Sequence, residues 1–290
     1  MNNTNEIKQR LKAVSETRQI TNAMYLLSSS RMKKAMQNID FNLFYMKRLR
    51  ATIKDILSKA KRNNIHDKFI DDNGSGSAVF VVITSDKGLC GGYNSAVIHE
   101  ALSKMKDYDE PLVISLGLMG DRLLKNAGIT PEFSWYGASQ HPTLNLAEQV
   151  ANKLIELYLT NDYHEVYIVY TEFVNSSVQT PKCVRLLPLL RRDYTDVNYE
   201  YNYQAQAIYE PSIEKVFEHL VYQYIMGFMY DVFMQSSASE NIARMTAMQN
   251  ATRNADEMTA ALSAQLNAAR QLQITNEITE IAAACEAGAV

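Results

Sequence analysis

The chain has 290 residues, of which 47% are hydrophobic and 21% charged, a composition typical of a globular protein. No apolar run approaches the ~18 residues of a membrane span, and the N-terminus lacks the apolar stretch of a secretory signal, so a bacterial cytoplasmic protein is expected. Three scattered cysteines without CxxC spacing argue against a disulfide framework or a zinc site.

The net charge of −3 conceals an asymmetry between the two ends of the chain. Residues 1–62 carry 14 Lys and Arg against 4 Asp and Glu, whereas residues 205–290 carry 4 against 10. The two segments are therefore suited to lie side by side, and the surplus positive charge of the first favours an acidic partner.

The first segment, residues 1–62, contains no glycine or proline and is predicted to form one long helix. A seam of apolar residues steps by four and three along it from Ile7 to Ile56, with polar interruptions at Arg18, Thr21 and Ser28. This pattern predicts a coiled coil, with ordinary packing in a helical bundle as the alternative.

The middle segment, residues 75–204, contains nearly all the helix breakers and alternates between strand and helix patterns. Strands are predicted over 78–83, 112–116, 166–174 and 178–187, and helices over 95–105, 118–126 and 144–159. Such alternation predicts a mainly parallel sheet in a Rossmann-like α/β domain.

The last segment, residues 208–290, again holds almost no helix breakers, and its small or flexible apolar residues step by three and four from Met245 to Ala269. At 1.5 Å per residue this helix would outrun the first by roughly 15 residues. The predicted fold is thus a long antiparallel coiled coil of the N- and C-terminal helices plus a Rossmann-like α/β central domain. The tip of the second helix must find a partner outside the chain.

A glycine-rich loop follows the first predicted strand, the place where nucleotide-binding proteins bind phosphate. Its glycines, Gly88, Gly91 and Gly92, fit neither the Walker nor the dinucleotide spacing, so a structural turn that brings the strand close to the next helix is predicted. Cys90 is predicted to be a buried thiol, and the five histidines form no metal-binding pair. Asp256 and Glu257 are expected to be solvated surface, so no catalytic, cofactor or metal site is predicted.

The basic first helix also leaves open a coiled-coil nucleic-acid-binding or scaffold protein, although no recognised nucleic-acid-binding motif accompanies it. A nucleotide-binding enzyme built on the middle segment is a second alternative.

Three ordered motifs resemble the gamma subunit, or central rotor stalk, of F-type ATP synthase. They are residues 18–35, beginning RQITNAM; residues 85–94, SDKGLCGGYN; and two C-terminal stretches, SENIARM over 239–245 and ARQLQITNEITEI over 269–281. The resemblance extends over essentially the whole chain.

The resemblance implies a shaft that turns inside a hexamer of alpha and beta subunits and couples ion flow to ATP synthesis or hydrolysis at the beta sites. Its implied partners also include the epsilon subunit and the c-ring, with no nucleic acid and no cofactor. The complex would be peripheral on the cytoplasmic side of the bacterial plasma membrane. Carried over by position, the implied contacts with beta are Met24, Arg244, Arg270, Gln271, Thr275 and Glu277.

The alternative for Met24 is a purely structural role in the packing of the coiled coil. The alternative for Arg270 is a place on a solvated helix face. The sequence departs from the family at Asn22 and Ala268, where lysines are common, and at Glu286, a charge near an apolar tail. Loss of these lysines is expected to weaken individual contacts with the beta subunit.

Overall fold

The computed structural model describes residues 2–62, 68–71, 77–160, 163–175, 178–194 and 209–287. Its elements, in chain order, are α1 (Asn2–Arg62), β1 (Ser77–Ile83), α2 (Tyr93–Met105), β2 (Leu112–Leu116), α3 (Leu118–Asn126), β3 (Phe133–Trp135), α4 (Leu144–Thr160), β4 (Tyr163–Phe173), β5 (Gln179–Leu187), a 3-10 turn (Arg191–Tyr194) and α5 (Ile213–Ala287). The predicted α/β fold class with two long terminal helices is confirmed.

Several sequence predictions fall outside the described residues. They include the boundaries at 75, 204 and 208, the side chains of Cys285 and Glu286, and His66, one of the five histidines.

The chain divides into two compact units whose boundaries fall inside α1 and α5. Met1–Ser28 and Arg244–Val290 form what we call the helix-pair unit, and Ser29–Ala243 form the sheet unit. The division of the sequence into segments 1–62, 75–204 and 208–290 therefore differs from the compact units. Segments of both long helices belong to the unit that contains the sheet.

The sheet has five strands in the order β3-β2-β1-β4-β5. Strands β3, β2, β1 and β4 run parallel to one another. Strand β5 pairs with β4 and runs antiparallel to it. Proline has no backbone N–H to donate to a neighbouring strand, so within sheets it is tolerated on edge strands. Pro181 lies on β5, which is at the edge of the sheet. The mainly parallel sheet predicted from the sequence is confirmed, and β3 is an additional strand.

The central strand β1 is an unbroken apolar run because both faces of the sheet are covered. On one face Phe80 and Val82 pack with Val97 of α2 and Leu124 of α3. On the other, Val79 and Val81 belong to a larger core to which α4 and the inner segments of α1 and α5 contribute.

The inner segments of the two long helices contribute large, buried side chains to this core. In α1 the seam residues Leu49, Ile53 and Ile56 are almost fully buried, and in α5 Ile225 and Phe233 have no exposed surface. Each such side chain contributes about 1.5–3 kcal/mol by its burial. The inner segments of α1 and α5 are thus part of the sheet unit's core.

Candidate functional site: the helix pair and the glycine-rich loop

Polar side chains hold the helix-pair unit together at the positions where the apolar seam is interrupted. The hydroxyl oxygens of Thr21 and Thr252 lie 2.8 Å apart, and Thr21 is only 8% exposed. Arg18 forms an ion pair with Asp256, each side chain being about half exposed. Asp256 and Glu257 are exposed, as predicted, and the structure adds that Asp256 binds Arg18, which lies 238 residues away in sequence.

These contacts define an antiparallel pair, since residue numbers rise along α1 as they fall along α5. The pairing continues toward the N-terminus of α1, where a cavity of about 350 Å³ is lined by Ile7 and Arg10 together with Leu262 and Ala269. Helix α1 begins at Asn2, whereas α5 continues to Ala287. The last turns of α5 therefore extend past the start of their partner helix.

That extension exposes an unusual amount of apolar surface for a single helix. Leu272, Ile274, Ile278 and Ile281 are between 51% and 65% exposed. Isolated helices of mixed composition are marginal in water, so a segment of this kind gains stability by being covered.

The exposed isoleucines form one stripe, which we call the terminal stripe. At about 100° per residue, Ile274, Ile278 and Ile281 lie within roughly 60° of one another around the helix axis, and Leu272 points to the opposite side. The same arithmetic places Arg270 and Glu277 along one border of the stripe, and Gln271 and Thr275 along the other.

Four residues on the two borders were assigned from the sequence to contact with a partner, and all four are exposed: Arg270, Gln271, Thr275 and Glu277. Thr275 donates its hydroxyl to the carbonyl of Gln271 at 2.9 Å, and Glu277 accepts from Gln273 at 2.9 Å. Of the other two assigned residues, Met24 is half-buried and Arg244 is only 7% exposed. A partner contact through any of the six remains a prediction.

In the sheet unit, the glycine-rich loop is fixed by its own polar groups. Asn94 accepts from the Ser85 N–H at 2.9 Å and donates to Cys90 Sγ at 3.3 Å. Asp86 accepts from the N–H of Leu118 at 3.3 Å and from that of Gly137 at 2.9 Å. Cys90 is 2% exposed, and the loop's side chains are therefore occupied in holding β1, α2 and α3 together.

The glycines of this loop differ in what they do. Gly91 has φ +57, the left-handed region that glycine adopts at no cost, but a Cβ at Gly88 or Gly92 would meet nothing within 4 Å. Close approach of the strand to a helix occurs instead at Gly117 and Gly120, where a Cβ would lie 2.4 Å from an atom of Thr84. The sequence prediction assigned close packing to the wrong glycines, because Gly117 and Gly120 belong to no recognised motif.

Among the described residues, no group of three or more His, Cys, Asp or Glu side chains could hold a metal ion. None of the described helices is both long and apolar enough to cross a membrane. A pair of long helices with an exposed apolar end, accompanied in this chain by a mainly parallel α/β unit, is typical of stalk-type proteins.

Comparison with known proteins gives the family. A family model described as ATP synthase matches residues 3–287. The ATP synthase gamma chain of Acetivibrio thermocellus is 36% identical over 99% of both chains, and that of Caldicellulosiruptor saccharolyticus is 35% identical over 97% of both. Among solved structures, the central stalk and c-ring of the Tetrahymena thermophila mitochondrial ATP synthase has a TM-score of 0.63 and 25% identity, covering 80% of this chain and 99% of that one.

The rotor of the Euglena gracilis enzyme has the same TM-score at 16% identity and supports the fold alone. The chain belongs to the family of ATP synthase gamma chains. This assignment favours the stalk over both alternatives left open by the sequence, a nucleic-acid-binding coiled coil and a nucleotide-binding enzyme.

Proposed function

We propose that the chain is the central rotor shaft of an ATP synthase and that the terminal stripe is its bearing surface inside a hexamer of alpha and beta subunits. The observation that carries the proposal is the projecting end of α5, where three isoleucines 51–65% exposed form one stripe. Rotation of the shaft would couple ion flow to ATP synthesis or hydrolysis at the beta sites.

The chemistry of this end suits a surface that must be enclosed and still turn. Isoleucine side chains gain about 1.5–3 kcal/mol each on full burial, and this attraction has no preferred direction around the axis. The polar residues along the two borders, Arg270 and Glu277 with Gln271 and Thr275, can form directional hydrogen bonds at chosen angles. We propose that these four contact a beta subunit and give the shaft an angular preference.

The basic character of α1 supports a second contact region. Lys33, Lys47 and Arg48 are exposed on this helix. We propose that they face acidic loops of the beta subunits, with Met24 and Arg244 near the same loops, because exposed charges steer a partner without locking it. Asn22 and Ala268 are also exposed, so the two missing lysines subtract from the charge available for such contacts.

We further propose that the sheet unit rests on the epsilon subunit and the c-ring. The complex would then lie at the cytoplasmic side of the bacterial plasma membrane.

The test is to co-express the chain with the alpha and beta subunits of the same organism and to replace the terminal stripe by glutamine at Ile274, Ile278 and Ile281. Glutamine is a good helix former, so the helix should persist. About half of each side chain is available for burial, which gives roughly 1–2 kcal/mol per residue. The triple variant should therefore dissociate from the hexamer at least tenfold faster, and in the complete membrane-bound enzyme ATP-driven ion pumping should fall more than ATP hydrolysis.

A matched control is Leu272→Gln, which removes a side chain 65% exposed on the opposite side of the helix. The logarithm of its dissociation rate should change by less than one third of the change found for the triple variant. A triple variant that pumps and dissociates like the wild type would refute the bearing role of the stripe. A stable alpha–beta hexamer that excludes the chain altogether would refute the rotor function itself.

A further inference from the structure

A cavity of about 350 Å³ lies within the sheet unit. It is formed by α1, by the loop that leads from β3 into α4, and by α5. Its volume is at the small end of the range for small-molecule sites. None of the described residues that line it is acidic.

Two cations of α1 line this cavity. Arg31 and Lys34 are one helical turn apart and so project from the same face of α1. Neither forms an ion pair with any other residue that the structure describes. Two positive charges that are not engaged in an ion pair within the described part of the chain favour a multiply charged anion.

The opposite wall adds hydrogen-bond donors and further positive potential. Gln140, His141 and Thr143 line the cavity just before α4 begins. Thr143 caps this 17-residue helix, because its hydroxyl accepts from the N–H of Leu146 at 3.2 Å. The first turn of α4 contains no acidic side chain, so the partial positive charge of its N-terminus is not neutralised locally.

A buried hydroxyl completes the lining. Ser237 of α5 is only 5% exposed and lines the cavity. In the described part of the chain its carbonyl accepts a hydrogen bond from Asn241, but its hydroxyl takes part in none. Because this hydroxyl has no partner among the described residues, it can donate a hydrogen bond to a ligand in the cavity.

We propose that this cavity binds an oxyanion of the phosphate class, either inorganic phosphate or the phosphate chain of a nucleotide. The Arg31 guanidinium can donate two parallel hydrogen bonds to such a group, Lys34 adds a second charge, and Ser237 donates from the buried side. Bound there, the anion would link α1, α4 and α5 within the sheet unit. The inference is independent of the rotor function.

The test uses the full chain with inorganic phosphate, in calorimetry and in thermal unfolding, against sodium chloride at the same ionic strength. Wild-type binding should be saturable, and at ten times the dissociation constant the melting temperature should rise by about 3–5 °C over chloride. Arg31→Gln with Lys34→Gln should weaken binding at least tenfold, since hydrogen bonds to charged groups are the strong ones. Ser237→Ala should weaken it several-fold.

Phosphate also stabilises proteins by exclusion from their surface, and a charge-matched control separates this effect from binding. Lys33→Gln with Lys47→Gln removes two exposed cations of the same helix that do not line the cavity, and should bind phosphate within twofold of wild type. ATP without magnesium should compete with phosphate if a nucleotide is the source, whereas adenosine should not bind.

Three results would overturn the proposal. One is a phosphate effect that does not saturate or that is equal in the Arg31/Lys34 variant, and another is adenosine binding as tightly as ATP. The third is impaired proton pumping by the assembled Arg31/Lys34 variant while the free wild-type chain binds no phosphate. That result would assign the cavity to a carboxylate of a neighbouring subunit.

Discussion

Replacing Gly120 by alanine is expected to destabilise the sheet unit, because α3 is packed directly on Thr84, the residue that follows β1. A Cβ at Gly120 would lie 2.4 Å from Thr84 Oγ1 and 3.0 Å from its Cγ2. Thr84 is fully buried, and its hydroxyl accepts from the Gly120 N–H at 2.8 Å and donates to the Leu116 carbonyl at 3.3 Å. The threonine cannot turn away without breaking both bonds.

The expected magnitude follows from three contributions. Overpacking a close contact costs about 1–3 kcal/mol, and loss of a buried hydrogen bond costs a further 1–3 kcal/mol. Alanine in place of glycine within a helix returns about 1 kcal/mol. Gly120→Ala should therefore lower the free energy of unfolding by about 1–5 kcal/mol.

The assay is urea unfolding followed by the fluorescence of Trp135, the single tryptophan of the chain. Its carbonyl accepts from the N–H of Gly117 at 2.9 Å, so it reports on the same region of the sheet unit. The matched control is Gly88→Ala, where a Cβ meets nothing within 4 Å; this variant should be unchanged or stabilised by up to about 1 kcal/mol.

A double-variant cycle tests the physical cause. In a Thr84→Ala background the oxygen that meets the new Cβ is absent, so adding Gly120→Ala should cost less than about 1 kcal/mol. The reasoning would be refuted if Gly120→Ala were as stable as the wild type. It would also be refuted if Gly120→Ala lowered the free energy of unfolding equally in the wild-type and Thr84→Ala backgrounds.

Three further predictions concern other parts of the chain. Leu89 has φ +62, so Leu89→Gly should raise the free energy of unfolding by up to about 1 kcal/mol in urea titration, whereas Leu89→Ala, which keeps the strain, should not. The half-exposed Arg18–Asp256 pair should give a coupling energy of about 0.2–1 kcal/mol in an alanine double-mutant cycle, falling as salt is added; an unchanged value in 1 M salt would contradict a Coulombic origin. Burial raises the pKa of Asp231, so its protonated form is favoured in the folded state, and stability is lost as pH rises from about 4 through the raised pKa. The stability of Asp231→Asn relative to wild type should therefore increase across that window, and a difference independent of pH would exclude this explanation.

The sequence predicted the architecture because the signals that it depends on are local. The absence of glycine and proline from residues 1–62 indicates one helix, which the structure gives as Asn2–Arg62. The unbroken apolar run of β1 indicates a strand covered on both faces. Strand β3, only Phe133–Trp135, was missed because three residues are too few to establish a period of two.

Contacts between distant residues were harder to predict, because periodicity identifies a face of a helix but not its partner. Arg18 was predicted to interrupt the seam, and the structure adds that Asp256 balances its charge across the pair. The role of Gly120 depends on Thr84, 36 residues earlier, and no local pattern connects the two. Conversely, Cys90 was predicted to be buried from its place between a strand and a helix, and it is.

The polar contacts of the helix pair bear on how a shaft could transmit torque. A seam of small apolar residues is nearly the same after a shift of three or four positions, so such a pair can slide at little cost. The Thr21–Thr252 hydrogen bond forms in one register only. A shift of register would break this bond, and Thr21 is only 8% exposed, so water could replace it poorly. The adjacent Arg18–Asp256 pair penalises the same shift. We infer that the polar interruptions of the seam, which weaken it as an apolar interface, fix the register that a rotating shaft has to keep.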